Sequence, residues 1–181
     1  MSEPTCVAGL VSTERIVAAE ACERLVVALD APSFSWRVAE VHSGTPEASV
    51  KPARQALVAP GDKTAAAAQV VKAIDEYLQA HDLVRQLNLE RSPLGILNYG
   101  VGGRYTTHRD SGPAHPERVL SLLLYLNDDF EGGTTCFPSR DLEVRPVPGM
   151  GVLFDSSLAH SGEPVLRGRK FAMVAWLHET A

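Results

Sequence analysis

The chain has 181 residues, of which 45% are hydrophobic and 22% are charged, and its formal net charge is −5 with histidine neutral. These values are ordinary for a soluble globular protein, and the length suits one domain that buries a core without disulfide bonds. An acidic chain repels phosphate backbones, and no apolar run is long enough to span a bilayer. We therefore expect neither a nucleic-acid nor a membrane partner.

The three cysteines are widely spaced, at Cys6, Cys22 and Cys136, and none belongs to a Cys-x-x-Cys pair. This pattern disfavours both a disulfide framework and a thiolate zinc site. Free thiols fit a reducing compartment, and residues 1–19 lack a basic start followed by an apolar stretch. We therefore predict no secretory signal and a cytoplasmic location.

Two helices and one strand are predicted in the first half of the chain. Ser12 is a candidate N-cap for a helix that includes residues 18–27, and residues 35–41 alternate in the manner of a strand. A second helix is predicted after Asp62, a candidate cap, because the apolar residues up to Leu78 recur at spacings of three and four.

Short strands separated by Gly- and Pro-containing turns are predicted in the second half. The predicted strands span residues 96–99, 105–110, 119–126, 152–154 and 171–177, and residues 134–137 and 142–147 lie between turns. This pattern favours a β-sandwich or barrel, with the two helices packed on one side of it. We predict a single domain over residues 1–181, in which residues 1–93 support a core formed by residues 94–179.

One cluster of metal-ligand residue types stands out among the six histidines. His108 and Asp110 are two residues apart, so on a strand their side chains leave the same face, with Cα atoms roughly 6–7 Å apart. His160 follows the predicted strand at 152–154 and is the candidate third ligand. Two histidines and one carboxylate leave half of an octahedron open, which is typical of non-haem iron(II) oxygenases. A zinc hydrolase would need only the same triad and an activated water.

Four segments around this triad resemble known sequence motifs. Residues 98–110 closely resemble the iron-binding strand of the prolyl 4-hydroxylases, and residues 124–127 followed by 132–138 look like the next segment of that family. Residues 144–154 are also similar, and residues 160–179 resemble the segment that carries the family's distal histidine and cosubstrate-binding lysine. The resemblance covers roughly residues 94–179, about half of the chain.

This resemblance implies a fold and a set of site residues. The fold is α+β and mainly β, with a double-stranded β-helix (jelly-roll) core and N-terminal helices packed on one side. The metal ligands for iron(II) would be His108, Asp110 and His160. The 2-oxoglutarate cosubstrate would be bound by Lys170 at its distal carboxylate, with hydrogen bonds from Tyr99 and Tyr125.

The resemblance also implies an activity: a 2-oxoglutarate- and O2-dependent dioxygenase that hydroxylates an unactivated C–H bond. The cofactors would be iron(II), 2-oxoglutarate and O2, with ascorbate as a candidate addition. The substrate would be a peptidyl proline or a small amino-acid-like molecule. Asp110 favours hydroxylation, because related halogenases lack the carboxylate, while desaturation and ring formation stay open. The sequence does not indicate the oligomeric state.

Several alternatives stay open. Arg169 is adjacent to Lys170 and could bind the distal carboxylate instead, since strand alternation alone does not say which face lines the cavity. Four arginines are candidates for gripping an acidic substrate group or are ordinary surface charges: Arg37, Arg54, Arg104 and Arg109. The rival functions are a nucleic-acid demethylase of the same superfamily and a non-enzymatic jelly-roll metal-binding protein.

Overall fold

A computed structural model describes residues 7–38 and 57–179 of the chain. Its helices are α1 (Ala19–Leu29), α2 (Ala68–Ala80) and α3 (Asp82–Gln86), with short 3-10 turns at Gly61–Lys63, Ala65–Ala67 and Pro138–Arg140. Within these described ranges, no helix combines the length and the apolar character needed to cross a bilayer.

Strands make up most of the regular structure. They are β1 (Val11–Arg15), β2 (Arg37–Val38), β3 (Leu57–Pro60), β4 (Leu89–Arg91), β5 (Gly95–Tyr99), β6 (Tyr105–His108), β7 (Arg118–Tyr125), β8 (Glu131–Gly132), β9 (Thr135–Phe137), β10 (Leu142–Val144), β11 (Met150–Asp155), β12 (His160–Gly162), β13 (Val165–Arg167) and β14 (Lys170–Glu179). The prediction of a mainly β chain is therefore confirmed.

The strands form two main antiparallel sheets. The larger has eight strands in the order β1-β11-β7-β14-β5-β3-β2, with β4 paired to β14. The smaller has four strands in the order β10-β9-β12-β6, and β13 pairs with β8 as a separate ribbon. The first five strands all belong to the large sheet, and the chain enters the small sheet at β6, β9, β10 and β12. Strands that are distant in sequence, such as β6 and β12, therefore become neighbours.

The two faces of the large sheet contribute to different core clusters. Leu122 of β7 and Met173 of β14 share a buried apolar cluster with Leu25 of α1 and Ile74 of α2. The neighbouring strand positions point the other way: Ala172 of β14 belongs to a second cluster with residues of the small sheet. Successive side chains of a strand leave opposite faces, which produces this separation.

The second cluster lies between the large and small sheets. Its buried members are Tyr125, Phe137, Val144, Val152, Phe154, Leu158 and Ala172. Phe137 and Phe154 meet edge to face, with ring centroids 5.1 Å apart. This apolar layer holds the two sheets together beside the site described below.

Both predicted helix caps are wrong. Ser12 lies in β1 and pairs with Leu153 of β11, and α1 begins at Ala19 without a side-chain cap. Asp62 lies in a 3-10 turn before α2, where its carboxylate accepts hydrogen bonds from the Leu94 amide and from Arg91. Strand pairing removes Ser12 from the start of α1, and long-range hydrogen bonds engage the Asp62 carboxylate that could otherwise cap a local helix.

Within the predicted strand at 35–41, the structure forms β2 at Arg37–Val38. Residues 39–41 lie outside the described residues. Cys6 and Arg54 also lie outside them. In the second half, β5, β7, β11 and β14 match predicted strands within a few residues.

Candidate metal centre

Two imidazoles meet across a strand pair. His108 is the last residue of β6 and His160 is the first residue of β12, and the two are partners in the antiparallel register. Directly opposed residues point to the same face, which brings their ring centroids to 4.2 Å. The pairing of β6 with β12 therefore joins histidines that are far apart in the sequence.

Asp110 reaches the same point by a route that differs from the predicted one. The strand β6 ends at His108, so Asp110 lies in the following bend and the same-face argument for one continuous strand is wrong. The Asp110 amide donates to the Ser156 carbonyl at 2.9 Å, and the Arg118 guanidinium donates to the Asp110 carbonyl at 3.2 Å. These main-chain hydrogen bonds turn the carboxylate toward the two imidazoles.

The three side chains converge on one point. Asp110 Oδ1 lies 3.4 Å from His108 Nε2, and Asp110 Oδ2 lies 3.7 Å from His160 Nε2. One candidate ligand atom from each residue can be chosen so that all three lie within 4.8 Å of one another. That spacing suits three ligands of a single first-row metal ion.

The hydrogen bonds of both imidazoles select the tautomer that a metal site needs. His108 Nδ1 lies 2.8 Å from the Thr106 carbonyl oxygen, and His160 Nδ1 lies 3.1 Å from that of Leu158. A carbonyl can only accept, so each Nδ1 carries the proton and each Nε2 presents its lone pair. A backbone acceptor on the far nitrogen is the usual way of orienting a metal-binding histidine.

Burial and charge set the protonation state of the site. Burial alone would raise the pKa of Asp110, but a hydrogen bond from protonated His108, the charge of protonated His160 and the Ser121 hydroxyl outweigh it at acid pH and lower this pKa to about 2. Burial lowers the pKa of His160. The site at neutral pH therefore offers an ionised carboxylate beside a neutral buried imidazole, the forms that bind a cation.

Aromatic rings surround the histidines. Phe154 packs edge-on against His160 with centroids 4.7 Å apart, and Phe137 stacks on it at 5.8 Å. Tyr105 covers His108 at 3.7 Å. The His160 side of the site is buried, whereas the His108 side chain keeps 19% exposure, so access from solvent is on the His108 side.

Two serines support Asp110, and sequence reasoning missed both. Ser121 of β7 donates to Asp110 Oδ2 at 2.7 Å, and its oxygen lies 2.8 Å from that of Ser156. Both serines are fully buried. Ser121 is the only polar side chain between Val119 and Leu124 in the sequence, and a lone hydroxyl inside an apolar strand was the available signal.

Lys170 is a buried cation at the start of β14. Its ammonium donates to the Gly133 carbonyl at 2.6 Å and lies 5.7 and 5.2 Å from the ring centroids of Tyr99 and Tyr125. Burial lowers its pKa to about 8. Within residues 7–38 and 57–179, no carboxylate forms a salt bridge with it, so its charge lacks an anionic partner there.

The face of β14 distinguishes Lys170 from Arg169. Lys170 shares its face with Ala172, which packs in the cluster between the two sheets. Arg169 is exposed, forms an ion pair with Asp30 after α1, and lies over the ring of Phe171. The two adjacent cations therefore point in opposite directions, and Lys170 points inward.

The two candidate tyrosines lie beside Lys170. Tyr99 of β5 is its register partner and keeps 8% exposure. Tyr125 is fully buried, and its hydroxyl donates to Thr135 at 2.7 Å, while burial raises its pKa. Their hydrogen bonds to a cosubstrate remain predictions.

Three of the four candidate substrate-gripping arginines lie among the described residues, and all three are at the surface. Arg37 and Arg104 are exposed, and the exposed Arg109 donates to the Ser157 carbonyl. Their role in gripping an acidic substrate group stays a prediction.

Among known protein families, residues 94–178 match the one described as the 2OG-Fe(II) oxygenase superfamily. The alpha-1 subunit of prolyl 4-hydroxylase from Bos taurus is 35% identical over 105 residues, which cover 48% of this chain and 20% of that protein. A probable prolyl 4-hydroxylase 9 from Arabidopsis thaliana is 32% identical over 114 residues, covering 46% and 40%. The chain thus spans about a fifth of the animal relative.

Solved structures extend the likeness of fold across most of the chain. A Pseudomonas putida prolyl-4-hydroxylase superposes with a TM-score of 0.71 at 24% identity, covering 94% of this chain and 93% of that one. A Trichoplax adhaerens prolyl hydroxylase, in complex with a hypoxia inducible factor oxygen degradation domain peptide fragment, gives 0.74 at 17% identity, covering 93% and 83%. These neighbours share the jelly-roll fold of the family, which supports the predicted jelly-roll core.

Proposed function

This chain belongs to the 2OG-Fe(II) oxygenase superfamily as a prolyl 4-hydroxylase-like member, and from that premise we propose that it is a 2-oxoglutarate- and O2-dependent iron(II) dioxygenase that hydroxylates an unactivated C–H bond. The convergence of His108, Asp110 and His160 is the observation that carries the proposal. The family uses iron(II), 2-oxoglutarate and O2, and the donor set of two imidazoles and one carboxylate fits iron(II).

In this proposal, Lys170 binds the distal carboxylate of 2-oxoglutarate. A buried ammonium without a carboxylate partner is costly, and an anionic ligand would remove most of that cost. The neighbouring rings of Tyr99 and Tyr125 shield this charge from water, and both hydroxyls are candidates for binding the cosubstrate. The exposed position of Arg169 supports Lys170 over its neighbour.

Each protein group has a distinct task in the proposed reaction. Iron(II) with 2-oxoglutarate and O2 supplies the oxidising chemistry, which yields succinate, carbon dioxide and a hydroxylated substrate. Asp110 and the two histidines hold the metal, Lys170 orients the cosubstrate, and the packed rings of Phe137 and Phe154 keep water from the His160 side.

We propose a peptidyl proline as substrate, with a small amino-acid-like molecule as the other candidate. The curated relatives are prolyl 4-hydroxylases, and a structural neighbour is in complex with a peptide. The more exposed His108 side of the centre provides the approach for such a substrate.

Two broader expectations belong to the same proposal. The shared cluster of Leu25 and Ile74 with the large sheet supports helices that brace one side of the jelly roll. The free thiols of Cys22 and Cys136 fit a reducing cytoplasmic compartment.

An anaerobic titration tests the proposed function. Iron(II) and then 2-oxoglutarate are added to the protein, and the visible charge-transfer absorption of the chelate is recorded. We expect absorption in the wild type, none in His108→Ala, and a weakened 2-oxoglutarate affinity in Lys170→Ala. Arg169→Ala is the matched control and should behave as wild type. Wild-type protein that binds iron(II) but never gives the absorption would refute the proposal.

Oxygenated turnover then separates the substrate classes. Succinate release is measured with proline-containing peptides and, separately, with free amino acids. Faster release with the peptides, together with a mass increase of one oxygen on proline, is the expected result. Stimulation by free amino acids alone would reject the peptidyl substrate.

A further inference from the structure

The carboxylate of Asp110 has two oxygens, and the serine side chains of the described residues bond only one of them. Ser121 donates its hydroxyl proton to Oδ2 at 2.7 Å. Oδ1 accepts no hydrogen bond from a serine and lies 3.4 Å from His108 Nε2. The two oxygens of this carboxylate are therefore not equivalent.

The direction of the serine hydrogen bonds follows from proton counting. A serine hydroxyl has one proton to donate, and the Ser121 proton goes to Asp110. The 2.8 Å contact between the two serine oxygens must then be donated by Ser156. The relay runs from Ser156 through Ser121 to Asp110 Oδ2, and donation to Ser121 makes the latter a stronger donor.

The backbone holds both ends of this relay in place. The Ser156 carbonyl accepts from the amides of Asp110 and Ser111, both at 2.9 Å, and its amide donates to the Val119 carbonyl. Ser121 lies inside β7, between two hydrogen-bonded neighbouring strands. Because neither serine is exposed, water cannot replace a lost hydroxyl without entering the core.

We propose that Ser121, supported by Ser156, is a positioning residue that occupies one oxygen of Asp110 and so limits this carboxylate to a single metal bond. A carboxylate can bind one metal through one or both oxygens. Binding through both would take a coordination position that the cosubstrate needs. The serine relay thus keeps that position open, which rests on the proposed function of the site.

The proposal predicts unequal losses in a Ser121→Ala variant. Freed from its hydrogen bond, Oδ2 would bind the metal, so affinity for iron(II) would be largely kept. The affinity of the iron-loaded protein for 2-oxoglutarate would fall by about tenfold more than its affinity for iron(II), on the scale usual for groups that support metal ligands. Ser156→Ala should shift the two affinities in the same direction by a smaller factor.

Anaerobic titration of the full chain measures both affinities. Iron(II) binding is followed by equilibrium dialysis, and 2-oxoglutarate binding at saturating iron(II) by the charge-transfer absorption. Ser161→Ala is the matched control, because its buried hydroxyl bonds Glu163 next to His160 and not a ligand carboxylate. Ser121→Thr, which retains the hydroxyl, should restore the wild-type ratio of the two affinities.

Two outcomes would overturn the proposal. One is a 2-oxoglutarate affinity in Ser121→Ala that equals that of Ser161→Ala. The other is a loss of iron(II) affinity as large as the loss of 2-oxoglutarate affinity, which is expected if Ser121 only stabilises the fold. If Ser121→Ala does not fold, Ser156→Ala decides by the same comparison. Failure of the proposed function itself would differ, because the wild type would then show no absorption.

Discussion

Replacing Lys170 by methionine should stabilise the ligand-free protein while it weakens cosubstrate binding. Methionine is similar in length and apolar, so it fills the space beside Tyr99 and Tyr125 without a charge to bury. The folded state loses the hydrogen bond to the Gly133 carbonyl and the cation–π contacts of the ammonium with the two rings. If Lys170 serves binding and not folding, its replacement should raise stability and lower cosubstrate affinity together.

The size of the effect follows from the pKa of Lys170. Burial lowers it from 10.5 to about 8, and a shift of that size corresponds to about 3 kcal/mol against the charged folded state. The lost hydrogen bond to Gly133 offsets about 1 kcal/mol of this, and the two lost cation–π contacts together offset about 1 kcal/mol more. We therefore expect Lys170→Met to raise the free energy of unfolding by about 1 kcal/mol at pH 7.

The pH dependence has a definite sign. Between pH 8 and 10.5 the unfolded chain holds the Lys170 proton and the folded chain releases it, so the unfolded state binds more protons and wild-type stability rises with pH. Below pH 8 the cost of burying the charge is fully present, and above 10.5 it is gone. The advantage of Lys170→Met should thus shrink across this window.

Urea denaturation at several pH values between 7 and 10 measures this directly, with metal and cosubstrate left out. Comparing the wild type with Lys170→Met cancels the other groups that titrate in this range, and Arg169→Met serves as the exposed control. A stability difference that stays constant with pH, or a destabilised Lys170→Met at pH 7, would refute the view of Lys170 as an uncompensated buried cation.

Three further predictions concern the metal ligands and the packing around them. Asp110→Ala should reduce iron(II) affinity by at least about a hundredfold in equilibrium dialysis, since it removes the only ligand charge; a loss under tenfold would exclude Asp110 as a ligand. Phe137→Ala should lower the unfolding free energy by about 3–5 kcal/mol in urea, because this ring is fully buried, whereas the exposed Val27→Ala should change it by under about 0.5 kcal/mol; equal effects would contradict the assigned core. Gly149→Ala should destabilise by more than about 1 kcal/mol, because its φ is +80° and an added Cβ would lie 1.9 Å from the Val17 carbonyl oxygen; a neutral thermal melt would contradict this turn.

The three candidate ligands could be named from the sequence, but the way in which their side chains meet could not. His108 and Asp110 are close in the chain, and the flanking motifs identified His160. Their convergence depends on the pairing of β6 with β12, a three-residue strand too short to show alternation. The position of Asp110 depends on the Ser156 carbonyl, a group that carries no sequence signal.

The long apolar strands were predictable, and the edges of the sheets were not. The run from Val119 to Tyr125 is apolar because β7 is covered on both faces, so composition alone indicates it. β1 is polar at Ser12, Thr13 and Glu14, and it is a strand only because β11 offers it a free edge. Local propensity contains no information about such a partner.

The choice between Lys170 and Arg169 shows the same limit. Alternation divides β14 into two faces, but the sequence does not say which one the helices cover. Once Met173 is seen to pack with α1 and α2, the Lys170 face must be the one between the sheets. A single tertiary contact therefore settles the orientation that the pattern leaves open.

Anomalous diffraction from crystals soaked in manganese(II) tests the central claim most directly, because it locates the ion independently of any reaction. We expect one strong peak within about 2.2 Å of His108 Nε2, His160 Nε2 and an Asp110 oxygen. A peak that any one of the three side chains fails to reach, or no peak at this point in manganese-saturated crystals, would contradict it.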